Sequence, residues 1–188
     1  MGARIAVDAV LVVWMLLELR IRLRSHFNRQ GARLDRGSLL VVVACIAAGI
    51  GGAFVLADTL PAAAIAAGRW LFVLGVVLMC VGIAIRQWAV VILGRFFTID
   101  VRIHPGQTVV ERGPYRWVRH PAYAGMIVTF VGIGLALGNW LALAVAAVVP
   151  TAGLVLRIRV EERALLDGLG EPYRRFAAGR PRLFPGVW

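Results

Sequence analysis

Two clusters of polar and aromatic side chains interrupt a chain that is otherwise strongly apolar. The first cluster spans residues 113–125 and carries His120 together with tyrosine, tryptophan and arginine. The second spans residues 157–163 and holds the adjacent carboxylates Glu161 and Glu162 among arginines. Histidine is a titratable donor, and paired carboxylates accept hydrogen bonds from cationic groups. The second cluster therefore suits either a solvated ion-pair surface or a ligand that bears an amino group.

The segment between the clusters determines how they meet. It runs from Ala122 to Leu156, 35 residues without Asp, Glu, Lys or Arg. This is longer than one membrane span and just sufficient for two short ones. Gly138 and Asn139 lie near its middle and supply a turn. We therefore expect a transmembrane helical hairpin that returns both clusters to one membrane surface, where they form one site.

The composition requires a lipid environment. Of 188 residues, 60% are hydrophobic and 16% are charged, with a mean hydropathy of +0.80. Soluble domains are about 45–50% apolar and about 25% charged.

Three further spans are predicted at residues 4–23, 39–57 and 70–93. The expected fold is an all-α integral membrane protein of about five transmembrane helices that ends in the hairpin. Residues 1–93 hold the first three helices, and residues 94–188 hold a polar loop, the hairpin and C-terminal helices.

The distribution of arginine predicts the orientation. The net charge is +11 and all 21 basic residues are Arg. Such charge is typical of nucleic-acid binding or of the excess of basic residues in cytoplasmic loops. With five spans, 18 arginines fall on one face and two on the other, while Arg86 lies within a span. We therefore expect both clusters and the C-terminus to be cytoplasmic, and we expect no nucleic-acid partner.

Arg86 has three possible explanations. A guanidinium inside a span is costly and tends to mark function. The side chain can also extend to the cytoplasmic interface, or it can pair with Glu18 or Asp8 on the first helix. The sequence leaves these alternatives open.

Several common motifs are absent. No GxGxxG follows a strand, and there is no phosphate-binding GxxxxGK[ST], HExxH or paired Cys/His spacing. Cys45 and Cys80 lie in apolar runs without a partner motif. We expect no bound metal, no disulfide and two buried, unreactive thiols.

The combined pattern resembles the isoprenylcysteine carboxyl methyltransferase family. The features that carry it are residues 113–125, the uncharged hairpin, the Glu161-Glu162 pair and the run 170–173, Gly-Glu-Pro-Tyr. The RHPxY…EE part is shared with other integral-membrane methyltransferases, phospholipid N-methyltransferases among them. The resemblance covers roughly residues 86–185. It implies an S-adenosylmethionine-dependent enzyme that releases S-adenosylhomocysteine, with a cytoplasmic cofactor pocket and with residues 94–188 as the catalytic region.

The resemblance also assigns site residues. The implied cofactor contacts are Gln107, Thr108, Val109, Val110, Tyr115, His120, Pro121, Ala122, Tyr123 and Glu161. The resemblance also implies two catalytic arginines: Arg157 matches a substrate-side arginine, and Arg86 matches an arginine on the third span near the reacting groups. Family members often carry a histidine at the start of the first run, where this chain has Gln107. Backbone contacts would survive that difference, whereas a histidine side-chain role would not.

The residue types favour one acceptor over another. A carboxylate acceptor is already ionised at neutral pH and needs no general base. Arg86 or Arg157 offers it a planar pair of donors, whereas an ammonium acceptor would be repelled. We therefore expect carboxyl O-methylation of a lipid-like or isoprenylcysteine-type (prenylated) substrate that arrives through the membrane lipids. Phospholipid N-methylation and a non-enzymatic scaffold remain alternatives, as do monomer and dimer. The number of N-terminal spans agrees with the short prokaryotic members of the family, and the resemblance therefore implies a bacterial inner membrane.

Overall fold

Six α-helices make up most of the protein, and no β-strand occurs among the residues that the structure describes. The computed structural model describes residues 2–27, 37–66, 68–184, 186 and 188. The helices are α1 (Gly2–Phe27), α2 (Ser38–Thr59), α3 (Gly68–Leu93), α4 (Pro121–Leu137), α5 (Trp140–Leu169) and α6 (Glu171–Ala178). Each of the five predicted spans corresponds to one of the first five helices, and the predicted hairpin is α4 and α5.

The apolar helices confirm the predicted class, an all-α integral membrane protein. Among the described residues, three helical segments are long and apolar enough to cross a membrane, namely Ser38–Thr59, Gly68–Phe96 and Trp140–Leu169. Helix α4 is apolar but only 17 residues long, and α1 carries several ionisable residues along its length. Because a helix satisfies its own backbone hydrogen bonds, it is the form in which such segments enter lipid. The count of five spans stays a prediction.

The turn of the hairpin lies at the predicted residues. Gly138 ends α4 with a φ of 64°, in the left-handed region that glycine tolerates. Asn139 then caps α5, because its Oδ1 accepts from the N–H groups of Leu141 and Ala142, each at 3.0 Å. Its Nδ2 donates to the carbonyl of Leu60 at 2.9 Å. This one side chain satisfies two free N–H groups and ties the turn to the end of α2.

Glycines allow α3 and α4 to touch through their backbones. A Cβ placed on Gly125 of α4 would lie 2.5 Å from the carbonyl oxygen of Gly82 on α3. A Cβ on Gly132 would lie 2.6 Å from the carbonyl oxygen of Gly75. Small residues are the usual means of close helix contact in membranes. The approach brings Arg86, four residues after Gly82, against the first turns of α4.

Helix α2 packs on α5 across the predicted boundary at residues 93 and 94. A Cβ on Gly49 would lie 2.5 Å from Cδ of Pro150, which stands inside α5. The division into an N-terminal and a catalytic region thus describes chain order, and it stays a prediction as a functional division. The main apolar core combines side chains from all of the first five helices, including Trp14, Val42, Met79, Phe130 and Leu154. Of the arginines predicted to face the cytoplasm, Arg29, Arg33 and Arg36 lie outside the described residues.

Candidate functional site

A pocket of about 890 Å³ opens at the end of the bundle where the polar clusters lie. Its walls are the α3–α4 loop, the beginning of α4, the polar end of α5, and α6. Hairpin geometry explains the arrangement, because α4 begins and the polar part of α5 follows at the same end. The loop residues 107–110 cover one side of the pocket, and α6 closes another.

Most of the predicted site residues share this pocket. Nine of the ten proposed cofactor contacts line it, namely Gln107, Thr108, Val109, Val110, Tyr115, His120, Ala122, Tyr123 and Glu161. Arg157 lines it as well. Pro121 does not, because it forms the first residue of α4 and its side chain is fully buried. Arg86 is also absent from the lining. That any of these residues contacts a cofactor stays a prediction.

Glu161 faces the pocket and is held by an aromatic residue from the other half of the hairpin. The hydroxyl of Tyr123 donates to Glu161 Oε2 at 2.6 Å. The ring of Tyr123 stacks on His120, with ring centroids 5.7 Å apart and planes inclined by 27°. A hydrogen bond to an ionised carboxylate is shorter and stronger than one between neutral groups. The contact therefore fixes both the hairpin ends and the direction of the Glu161 carboxylate.

Glu162 points away from Glu161 and binds three cationic or titratable side chains. Its Oε1 accepts from Arg119 Nη1 at 2.7 Å and lies 3.3 Å from His120 Nε2. Its Oε2 accepts from Arg182 Nε at 2.8 Å. The first cluster, α5 and the C-terminal tail are thereby joined at one buried carboxylate. The expected solvated ion-pair surface does not describe Glu162, because Glu162 is buried and its arginine partners, Arg119 and Arg182, lie outside the second cluster. The carboxylate that faces the pocket is Glu161.

The C-terminal tail is held against the first cluster by its backbone. The N–H of Arg119 donates to the carbonyl of Pro181, and the N–H of His120 donates to that of Arg182, each at 2.9 Å. Arg119 Nε also donates to the carbonyl of Arg180 at 2.8 Å. His120 is therefore fixed through its backbone and its ring. Its ring nitrogen Nε2 faces Glu162, so any ligand contact must use the remainder of the imidazole.

Arg157 is buried in the pocket wall at 3% exposure. Its Nη1 donates to Ser38 Oγ at 2.6 Å, and its Nη2 donates to the carbonyl of Ile99. These bonds join α5 to the start of α2 and to the α3–α4 loop. The guanidinium is thus held in one orientation at the wall, as a residue that positions a substrate group must be.

Arg86 pairs with Glu18, one of the alternatives that the sequence left open. Arg86 Nη2 donates to Glu18 Oε2 at 2.6 Å, and Nε donates to Oε1. Trp14 Nε1 also donates to Glu18 Oε1, at 3.2 Å. Arg86 is 7% exposed, so extension of its guanidinium into solvent is ruled out as its main explanation. Two of the donor groups of Arg86, Nε and Nη2, are therefore already bonded to a carboxylate.

Two phenols at the pocket remain protonated across the usual pH range. Burial raises the pKa of Tyr115, and the negative charge of Glu161 adds to the shift. Burial likewise raises the pKa of Tyr173, followed by the charges of Glu162 and Glu161. Both are therefore hydrogen-bond donors. The Tyr173 hydroxyl is buried and has no hydrogen-bond partner among the described residues, and its residue lines the pocket.

Sequence reasoning missed several residues of this region. Glu162 was noted as half of the carboxylate pair but was not assigned to the site, Arg119 was included only as an arginine of the first cluster, and Arg182 in the tail carried no signal. Tyr173 belongs to the Gly-Glu-Pro-Tyr run, which was available as a signal for a pocket residue. Phe96 and Phe97, just after α3, also line the pocket.

The described residues form no metal centre, and the exposure of one cysteine differs from the prediction. No group of three or more His, Cys, Asp or Glu side chains among them is placed to hold a metal ion. Cys45 is half-buried and Cys80 is exposed. The prediction of two buried thiols is therefore wrong for Cys80, because its position on α3 faces outward from the bundle rather than towards α4.

The fold and the pocket define a class: an integral membrane protein built of helices, with a pocket at one end of a helical hairpin. The family model described as the isoprenylcysteine carboxyl methyltransferase (ICMT) family matches residues 73–167, about half of the chain. The chain belongs to this family. The match includes α3, the α3–α4 loop and the hairpin, which carry nearly all of the pocket.

Known proteins agree with this assignment. A Bacillus subtilis protein described as uncharacterized protein YpbQ is 31% identical over 98 residues, covering 52% of this chain and 58% of its own. Protein-S-isoprenylcysteine O-methyltransferase B of Arabidopsis thaliana is 31% identical over 120 residues, covering 63% and 61%. The chain thus spans about three fifths of these relatives. The solved structure of a eukaryotic intramembrane Ras methyltransferase ICMT has the same fold, with a TM-score of 0.64, 23% identity, and coverage of 77% of this chain and 52% of that one.

Proposed function

We propose that this protein is an integral-membrane methyltransferase that binds S-adenosylmethionine in the pocket and methylates the carboxylate of a lipid-like, isoprenylcysteine-type acceptor. One observation carries the proposal. Residues from the α3–α4 loop, the start of α4 and the polar end of α5 line a single pocket, on a chain that belongs to this family. The Arabidopsis relative bears the corresponding activity in its name.

The residues present fit S-adenosylmethionine. The Glu161 carboxylate suits the amino group or the ribose hydroxyls, and backbone N–H groups of residues 107–110 suit the carboxylate. Tyr115 and Tyr123 suit the adenine ring or the sulfonium cation. The buried, unpartnered hydroxyl of Tyr173 is a donor for which a ligand would be the partner.

The chain's task in this reaction is alignment. The bound cofactor supplies an electrophilic methyl group on its sulfonium. Displacement requires the acceptor oxygen to lie in line with the breaking bond, so fixed geometry contributes most of the rate enhancement. Arg157, held by Ser38 and Ile99, orients the acceptor carboxylate. Arg86 donates to Glu18 through Nε and Nη2, so it would contact an acceptor carboxylate through its Nη1 group.

A second acceptor class is favoured by one specific observation. The Glu161 carboxylate lines the pocket, whereas Glu18 is paired with Arg86 and neither of those two residues is among the lining residues. A carboxylate is what an amine acceptor needs, since it attracts the ammonium and accepts its proton. N-methylation of a phospholipid amine is therefore the alternative. The arginines at the pocket still favour an anionic acceptor.

We propose the following membrane setting, as the arginine distribution supports it. The pocket and the C-terminus face the cytoplasm, and the membrane is the inner membrane of a bacterium. The soluble cofactor then enters from the cytoplasm, and the lipid-like acceptor enters from the bilayer.

Cofactor binding is tested by calorimetric titration of S-adenosylhomocysteine into detergent-purified protein. Wild type should bind saturably, and Glu161→Ala should bind at least about tenfold more weakly because an ionised hydrogen-bond partner is lost. Asp167→Asn is the matched control, since Asp167 is exposed on the same helix and does not line the pocket. If folded wild-type protein fails to bind S-adenosylhomocysteine in detergent and again in lipid nanodiscs, the enzyme proposal is overturned. The non-enzymatic scaffold would then be the alternative that remains.

The acceptor is tested with S-adenosylmethionine labelled in its methyl group. S-Prenylated cysteine and phosphatidylethanolamine are supplied separately, and the products are treated with alkali. A methyl ester releases labelled methanol under these conditions, whereas an N-methyl group is retained. Alkali-labile label on the prenylated cysteine is the expected result. Alkali-stable label on the phospholipid would overturn the proposal of carboxyl methylation and support N-methylation.

A further inference from the structure

A second cavity lies on the other side of the α3–α4 loop, between α1 and the end of α3. Its volume is about 920 Å³, part of it open to the surroundings. It is lined by Arg20, Ile21, Arg24, Ser25, Gln87, Val90, Val91, Gly94, Arg95 and Phe97. Phe97 is the one lining residue that it shares with the candidate cofactor pocket. None of the residues assigned to cofactor or acceptor belongs to it.

The polar lining of this cavity is cationic. Arg20 and Arg24 lie one helical turn apart on α1 and are both exposed, and Arg95 reaches the cavity from the end of α3. No Asp or Glu occurs among those lining residues that the structure describes. The Gln87 side chain adds an amide, whose Nε2 is buried without a hydrogen-bond partner among the described residues. Guanidinium groups match phosphate oxygens with pairs of parallel donors, so this lining suits a phosphate group.

The remaining walls of the cavity are apolar and continue onto the lipid-facing surface. Val91 lines the cavity and is 70% exposed, and on α1 the exposed Leu19 and Leu23 flank the cavity-lining Ile21. The apolar part of α3 ends at Leu93, two residues before Arg95. The arginines therefore stand at the level where hydrocarbon gives way to headgroups. Basic residues at this level are the usual partners of anionic lipids.

We propose that the cavity between α1 and α3 binds the phosphate of an anionic membrane phospholipid, whose acyl chains lie along the exposed apolar side chains of α1 and α3. The lipid is bound as a resident and is distinct from the methyl acceptor. Its site adjoins the candidate cofactor pocket, because the hydroxyl of Ser25 accepts from the N–H of Ile99 at 3.0 Å. The proposal stands on the charge and position of the cavity, and it is independent of the methyltransferase proposal.

The test is native mass spectrometry of the detergent-purified full chain. The probes are dioleoylphosphatidylglycerol, dioleoylphosphatidylcholine and inorganic phosphate, and each is titrated separately. Inorganic phosphate is then added in competition with bound phosphatidylglycerol. The variants are the double substitution Arg20→Ala/Arg24→Ala and the charge-preserving Arg20→Lys/Arg24→Lys. The control is the double variant Arg22→Ala/Arg69→Ala, which removes the same amount of charge. Both of these arginines are exposed, and neither lines the cavity. Thermal unfolding of each variant reports its folding.

Wild type and the control should retain phosphatidylglycerol, and the double alanine variant should retain it about tenfold less, since each arginine near the surface adds to anionic-lipid affinity. The double lysine variant should recover most of the binding. Equal losses in the alanine variant and in the control would overturn the proposal, because general charge attraction would then explain the binding. Equal retention of phosphatidylcholine would overturn it too. Displacement of the lipid by millimolar inorganic phosphate would identify a site for free anions and overturn the lipid assignment.

Discussion

Arg86 Nη2 lies 2.6 Å from Glu18 Oε2, which joins α3 to α1 across 68 residues of sequence. Both side chains are largely shielded, with 8% and 22% exposure. A charge pair in such surroundings is costly to break, because each partner alone would remain as an uncompensated charge. Arg86 therefore connects α1, which lies outside the family match, to α3, most of which lies within it.

Removing the charge of Glu18 should destabilise the protein. Glu18→Gln leaves the Arg86 guanidinium with a neutral partner, and we expect a loss of about 1.5–3 kcal/mol, the worth of hydrogen bonds to charged groups. Thermal unfolding in detergent measures it. Asp8→Asn is the matched control, as another carboxylate on α1 that is exposed. If both variants unfold at the wild-type temperature, the pair contributes nothing to the packing of α1.

The glycine contact between α3 and α4 should be sensitive to a single methyl group. A Cβ at Gly82 would lie 2.5 Å from the carbonyl oxygen of Gly125, so Gly82→Ala should separate the helices and cost about 1–3 kcal/mol. At Gly51 a Cβ meets nothing within 4 Å. Gly51→Ala should therefore be neutral or stabilising by about 0.5–1 kcal/mol. The reverse order of unfolding temperatures would contradict the close approach.

The Tyr173 hydroxyl should report on ligand binding without reporting on stability. It has no hydrogen-bond partner among the described residues, so Tyr173→Phe should leave the unfolding temperature unchanged. If a ligand group satisfies the hydroxyl, the dissociation constant for S-adenosylhomocysteine should rise about three- to tenfold. Calorimetry and thermal unfolding on the same preparation separate the two effects. A destabilised variant with unchanged affinity would assign the hydroxyl to the fold.

His104 should make the protein sensitive to mild acid. Burial lowers the pKa of its imidazole, and the charges of Arg102 and Arg95 lower it further. The folded protein then binds fewer protons than the unfolded chain below the unfolded pKa of about 6.5. The contribution to stability is present above about pH 6.5 and is lost as the pH falls towards the folded pKa, by up to about 1.4 kcal/mol per pH unit.

The measurement is the unfolding temperature at about pH 7.5 and about pH 5.5, wild type beside His104→Gln. We expect the wild type to lose more stability than the variant, because glutamine does not titrate in this window. The ring lies near Phe96, with centroids 6.3 Å apart, and the backbone N–H donates to Gln107 Oε1 at 2.9 Å. Neither contact supplies a carboxylate that would reverse the sign. Identical losses in the two proteins would refute the shift.

Local pattern was sufficient for the outline of the fold. Charge-free length predicted the hairpin, and Gly138-Asn139 predicted its turn, because those residue types suit a left-handed end and an N-cap. The thiol of Cys80 was predicted wrongly, since an apolar run in a membrane protein does not distinguish the lipid-facing side from the core.

The sequence by itself determined the membrane class, the helices and the family, because hydropathy and short motifs are properties of neighbouring residues. Only the tertiary structure decided what each carboxylate does. Glu161 and Glu162 are adjacent, yet a helix turns about 100° per residue, so one meets Tyr123 at the pocket and the other meets Arg119 and Arg182. The packing of α1 on α3 likewise selected Glu18 rather than Asp8 as the partner of Arg86. These pairings depend on contacts between distant segments, which local pattern does not contain.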